Sequence, residues 1–147
     1  MDPNADRKRW MSLMAKAPAQ ILKQLWGDLS LAPEFDWLRP PEVGGTMVQG
    51  RMGGSGSAFN LGEMTVTRCS VRLHSGEVGH AYVQGRDKSK AQIAALVDAL
   101  MQGDAAHTLR GGLLDPLRAQ MEAARQMRAA KAAATKVEFF TMMRGED

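Results

Sequence analysis

The sequence predicts an α+β fold: two N-terminal helices, a largely antiparallel sheet, two further helices and a C-terminal strand or arm. Three observations carry this reading. Apolar residues recur at i, i+3, i+4 and i+7 before Glu34. The period then shortens to two as far as Gln84. Helical spacing returns from Asp87 onward. With 147 residues the chain suits a single domain, 1–147, large enough to bury a core without disulfides or metal.

Taken in order, Trp10, Leu13, Met14 and Ala17 define the first helix, with Asn4 or Asp6 as its cap. Pro18 breaks the chain and opens a second helix carrying Leu22, Leu25, Trp26 and Leu29. Helices this short need a surface to lie on, which the spacing alone does not name. Phe35 and Trp37 begin a strand that Pro40-Pro41 should end. Thr46 to Met52 forms a second strand, followed by Gly53-Gly54-Ser55-Gly56-Ser57. Glu63 to His74 forms a third, with Thr67, Cys69, Val71 and Leu73 on one face and Arg68, Ser70 and Arg72 on the other. Ser75-Gly76 turns it into a fourth, Glu77 to Gln84, antiparallel to the third.

Asp87 caps the next helix, whose apolar stripe is Ile93, Leu96, Val97 and Leu100. Gly111-Gly112 reads as a loop, and Asp115-Pro116 as the cap and first turn of an Ala-rich helix from Leu117 to Ala134. Val137 to Arg144 combines β-branched and aromatic residues and reads as a late strand or extended arm.

Composition excludes several functions. The net charge of +3, from 19 basic and 16 acidic residues, is too small to imply a nucleic-acid partner. Arg7-Lys8-Arg9 and the basic late helix read instead as solvated faces, with a nucleic-acid module as the competing reading. The single cysteine, Cys69, cannot form an internal disulfide and fits a reducing cytosol. No apolar run has the length of a membrane helix, and Met1 to Arg9 lacks the apolar centre of a signal peptide, so a soluble cytoplasmic protein is expected. His74, His80 and His107 have no metal-ligand spacing. No nucleophile elbow, zinc-protease motif or paired carboxylate occurs, which argues against a stand-alone enzyme.

Three segments could still serve a function. Gly50-Arg51-Met52-Gly53-Gly54 combines glycines, which let backbone N–H groups approach an anion, with a forked cation. A plain turn between strands is the alternative, because the Lys-Ser/Thr of a phosphate-binding loop is missing. Gln84-Gly85-Arg86-Asp87-Lys88 sits where a strand meets a helix N-terminus, which attracts anions unless Asp87 already occupies it. Phe139, Phe140, Met142 and Arg144 suit an arm lying in a partner's groove, or an inner strand.

The segments Arg9 to Ser12, Gly50 to Gly54, Thr67 to Leu73, Val83 to Lys88, Leu96 to Met101 and Val137 to Gly145 occur together, and in this order, in PhnG proteins. The chain resembles that family over nearly its whole length. Between Leu109 and Ala134 only the helical character matches. The resemblance implies an obligate subunit of the carbon–phosphorus lyase core complex in phosphonate catabolism. PhnH-, PhnI- and PhnJ-like subunits would be present with it, two copies of each, along with PhnL- and PhnK-like ATPases. It implies that the assembly transfers an alkylphosphonate to ribose C1′ of ATP, expelling adenine and leaving ribose 1-phosphonate 5-triphosphate. A radical iron–sulfur subunit then breaks the C–P bond. MgATP is a substrate of that assembly; this chain would bind no cofactor or metal of its own. No catalytic residue is carried over. Arg51, Gly53, Gly54, Gln84 and Arg86 are the anion-binding candidates. The alternative within the same family is a scaffold that only stabilises the PhnI-like subunit.

Overall fold

The computed structural model describes residues 2–51 and 58–145. Helices α1 (Pro3–Lys16) and α2 (Ala19–Leu29) lead into strands β1 (Phe35–Arg51), β2 (Ala58–Leu73) and β3 (Val78–Gln84). Helix α3 (Lys88–Leu100) follows, then a short α4 (Ala106–Leu109) and a π-helical turn (Arg110–Leu114) that runs directly into α5 (Asp115–Gly145). The strands form one antiparallel sheet in the order β1-β2-β3.

The helices cover one face of the sheet. Cys69, Val71, Leu73, Ala81 and Val83 point into the core by strand alternation, while Arg68, Arg72, His80 and Tyr82 stay exposed. α3 lies across β2 and β3 and is buried from Ile93 to Ala99. Its approach is so close that a Cβ on Gly79 would stand 2.0 Å from the Ala95 carbonyl oxygen. Trp10, Met14 and Ala17 of the first apolar stripe and Leu22 of the second are buried against this layer. The amphipathic N-terminal helices thus find their surface within the chain.

Several expectations need correction. The cap of α1 is Asp2, whose carboxylate accepts from Asn4 N–H at 3.0 Å, with Pro3 opening the helix. Pro40-Pro41 does not end a strand: the two short candidates are one continuous β1. β1 is an edge strand, where a missing N–H is tolerated, and the register shifts so that both prolines span the place opposite Cys69. β2 begins at Ala58, ahead of the expected Glu63.

Gly111-Gly112 is not a loop, and Asp115 is not a cap, because the helix is already running through both. The wide turn brings Leu109, Leu113, Leu114 and Leu117 into the core together. It also accommodates Pro116, which lacks the N–H an α-turn would use. Gly112 packs beside Leu29, whose Cδ2 would lie 2.5 Å from an added Cβ.

Val137 to Arg144 is the last part of α5 and not a strand. Among the described residues no free strand lies beside it to supply a ladder. The Ala-rich stretch before it has the highest helix propensity, and elongation satisfies each backbone group locally.

Two parts leave the body. β3 pairs with β2 only between Arg72 and Val66, so Gly45–Arg51 and Ala58–Thr65 continue as a two-stranded ribbon. α5 is anchored by buried Leu117 and half-buried Met121. From Glu122 to Met143 every residue except Ala124 is exposed. The stretch from Glu122 to Gly145 extends roughly 36 Å at the helical rise.

Candidate functional site

The strand-to-helix junction after β3 is held by short-range bonds. Gly85 adopts φ 92°, a conformation that favours glycine. Its N–H donates to Thr65 O at 2.9 Å, and its carbonyl accepts from Thr67 Oγ1 at 2.7 Å. Asp87 then fills the α3 N-terminus: Oδ1 accepts from Lys90 N–H at 3.0 Å, and Oδ2 from Lys23 Nζ at 2.7 Å. These partners, Lys23 first, hold the Asp87 carboxyl below its ordinary pKa. Lys90 reaches back from the first turn to donate to Ala15 O at 3.0 Å, and its burial lowers its pKa. Gln84 and Arg86 are exposed beside a helix end that already has its anion.

Arg51 closes β1 opposite Ala58, whereas Gln84 pairs with Val66. Ala58 and Val66 are separated along β2 by roughly 26 Å at the rise of a strand. Arg51 and Arg86 therefore do not share one site within this chain. Gly53 and Gly54 lie outside the described residues.

The third candidate segment is exposed on α5. Phe139 and Phe140 are 59% and 53% accessible, and Met142 70%. Their rings meet edge to face at 5.9 Å, and Lys136 Nζ lies 5.9 Å from the Phe140 ring centroid. Arg144 belongs to the same helix. Exposed apolar side chains of this size, on a helix with no neighbour beyond its root among the described residues, form a surface suited to a partner.

Two groupings were missed by sequence reasoning. The first is a buried carboxylate. Asp98, fully buried, accepts from Arg7 Nε at 3.0 Å, Arg7 Nη2 at 2.8 Å, Trp10 Nε1 at 2.8 Å and the backbone N–H of His80 at 2.9 Å. The hydrogen bond from Arg7 to this carboxylate raises the guanidinium pKa further. One side chain thereby ties α1, β3 and α3 together.

The second is a basic groove of about 610 Å³ between α1 and the start of α5. Lys8, Arg9, Ser12, Leu13 and Lys16 line one wall, and Arg110, Arg118 and Met121 the other, with Asp6 at the side. Asp6 engages Arg110 at 2.8 Å, and Asp115 lies 3.6 Å from Arg118. Among the described residues no carboxylate comes within ion-pair distance of Lys8, Arg9 or Lys16. Arg9, Ser12, Leu13 and Lys16 stand at helical spacing, a legible signal; their opposing wall lies about a hundred residues away in sequence and was not.

Among the described residues no group of three His, Cys, Asp or Glu side chains could hold a metal ion. Cys69 is buried in the core, which pushes its thiol up to about 11. His74 is exposed beside Glu34 and Asp36. No described helix is long and apolar enough to cross a membrane.

Comparison with known proteins fits this arrangement of a small body with partner-ready extensions. The family described as "Phosphonate metabolism protein PhnG" matches residues 5–145. A protein of Rhizobium meliloti (strain 1021), named "Alpha-D-ribose 1-methylphosphonate 5-triphosphate synthase subunit PhnG", is 44% identical over 143 residues. That alignment covers 97% of this chain and 92% of the relative. The chain belongs to the PhnG family of phosphonate metabolism proteins.

Proposed function

We propose that this chain is a non-catalytic but required subunit of a ribose 1-methylphosphonate 5-triphosphate synthase in phosphonate catabolism. The observation that carries the reading is the exposure of the distal half of α5, with Phe139, Phe140, Met142 and Met143 on a helix that nothing in the described chain covers. The name and high identity of the Rhizobium relative support it. An Ala-rich helix of this kind is marginal in water and gains its order from packing on another surface. The ribbon makes the same demand, since two strands alone are barely stable.

In this reading the chain works in the cytoplasm with PhnH-, PhnI- and PhnJ-like subunits, two copies of each, and with PhnL- and PhnK-like ATPases. MgATP is the substrate of the assembly. Attack of a phosphonate oxygen on ribose C1′, forming the C1′–O bond as the bond to adenine breaks, must compete with water at the same carbon. A neighbouring subunit that excludes solvent and aligns the two anionic substrates serves that need. Arg51, with its glycine loop, or Arg86 on the exposed junction, would face the shared cleft from this chain; the separation of the two makes them alternatives unless the assembly folds around both.

The test is reconstitution. Coupling of methylphosphonate to ATP is measured with and without this chain, and with Phe139→Asp/Phe140→Asp. The expected result is loss of coupling on omission and loss of co-purification for the double variant. Full coupling without the chain overturns the proposal. Intact assembly with the double variant removes α5 from the docking surface. Normal coupling by Arg51→Ala or Arg86→Ala removes that arginine from the substrate-facing role. If omission lowers only the yield of folded PhnI-like subunit, and not its turnover, the scaffold reading replaces the positioning one.

A further inference from the structure

We infer that the groove between α1 and the root of α5 is an anion subsite that takes the triphosphate chain of the nucleotide substrate. The inference rests on the synthase reading above and adds a location to it.

Lys8, Arg9, Lys16, Arg110 and Arg118 face a common space of about 610 Å³, and Asp6 is the one carboxylate on its lining. Two of these cations already have acidic neighbours, Arg110 at 2.8 Å and Arg118 at 3.6 Å. The other three have no carboxylate within ion-pair range among the described residues. Like charges gathered on one wall repel, and evenly mixed surfaces avoid that arrangement. A polyanion relieves the repulsion, and guanidinium groups offer forked donors that match phosphate oxygens.

The cations come from chain segments about a hundred residues apart: α1 packs on β3 and α3, the π-helical turn packs on α2, and the Asp6–Arg110 ion pair bridges the two. The lateral Asp6–Arg110 pair holds Arg110 at that turn. Wide helical turns of this kind are frequent at functional sites. The same groove carries Leu13 and Met121, apolar side chains on which the less polar part of a nucleotide could rest.

Size and composition choose among anions. Five cations exceed what a single phosphate needs. A nucleic acid would call for a longer basic track and aromatic side chains for stacking, and the groove lining contains no aromatic residue. A linear triphosphate, with its several negative charges in a row, suits the number of cations.

The experiment titrates the full-length chain with inorganic tripolyphosphate, and separately with orthophosphate, by calorimetry. Lys16→Gln and Arg118→Gln are compared with Arg68→Gln on the opposite face of the sheet, with circular dichroism to check folding. Tripolyphosphate should bind more tightly than orthophosphate. Each groove substitution should weaken it roughly ten-fold, the equivalent of one charge-assisted hydrogen bond, while Arg68→Gln leaves it unchanged. In the reconstituted complex the groove variants should raise KM for ATP by a similar factor with kcat little altered. The inference is overturned if tripolyphosphate binds no better than orthophosphate, if the groove variants bind as the wild type does, or if a mixed oligonucleotide binds more tightly. It is also overturned if the variants lose subunit assembly while keeping tripolyphosphate affinity, which makes the groove a contact for an acidic partner segment. A chain required for coupling whose groove variants keep normal KM refutes the subsite alone. A chain that coupling does not need refutes the synthase reading, and calorimetry still judges the groove.

Discussion

Replacing Asp98 by Ala tests the account of the core most directly. The substitution removes an acceptor used by four donors. Arg7 is partly exposed, with 34% of its side chain accessible, and can turn to water, so its loss costs little. Trp10 Nε1 is held inside, and the His80 N–H, part-buried, points at the same fully buried carboxylate. Each buried donor left without a partner costs about 1–3 kcal/mol, so the pair costs about 2–6 kcal/mol. For a chain of this size about 1 kcal/mol corresponds to roughly 3 °C in Tm, which puts the expected drop at about 6–18 °C. Asp98→Asn should fall in the same range: its amide NH2 meets two donors where the carboxylate offered acceptors. The assay is thermal unfolding followed by far-UV circular dichroism at neutral pH, repeated in high salt. Because the network is buried, the deficit should persist at high ionic strength. A Tm within about 3 °C of the wild type would falsify the view that Asp98 joins α1, β3 and α3.

Gly79→Ala should lower stability by about 2–3 kcal/mol, because the new methyl meets the backbone of α3 and not a side chain that can swing aside; urea unfolding reads this, and an unchanged midpoint contradicts the close packing. Asp87→Asn keeps a cap but loses the Lys23 pair. The folded carboxyl titrates below its unfolded value, so the stability difference between wild type and variant should be full above about pH 4 and fade as pH falls through the lower folded value; a constant difference across that window rules out the ion pair as its source. Cys69 should resist alkylation at pH 8 in the native chain and react once unfolded, since its thiol stays protonated to about 11; rapid native labelling contradicts its burial. Phe139→Asp/Phe140→Asp should change the stability of the isolated chain by less than about 0.5 kcal/mol, as exposed positions do; a larger loss on urea unfolding means that α5 folds back onto the body.

The elements that formed as expected are those whose signal is local. Trp10, Met14 and Ala17 have one face to bury, and Thr67 to Leu73 alternates because the sheet has one covered side. Asp87 caps α3 with a bond three residues long. The errors arose where a local rule met a distant neighbour. Pro40-Pro41 signals a strand end only if both edges are paired, and β1 has a free one. Gly111-Gly112 signals a loop only if nothing packs there, and Leu29 does. Val137 to Thr141 carries strand-forming residues, yet their side chains meet no sheet and the helix behind them extends. The family was legible because its motifs lie in order along the chain. The groove went unread: Arg9, Ser12 and Lys16 stand at helical spacing, but residues such as Arg118 reach them only through tertiary packing.

The π-helical turn fixes the phase of everything that follows it. Tightening Arg110–Leu114 into ordinary α geometry, or deleting one residue there, would rotate the whole of α5 by about 100° and shift it by about 1.5 Å. Phe139 and Phe140 would then look in another direction although nothing near them had changed. The aim of the distal helix is thus set some 25 residues upstream, in a stretch anchored by Leu113 and Leu114 in this chain's own core. A single-residue deletion at Gly111 should therefore abolish docking while leaving the aromatic pair itself intact.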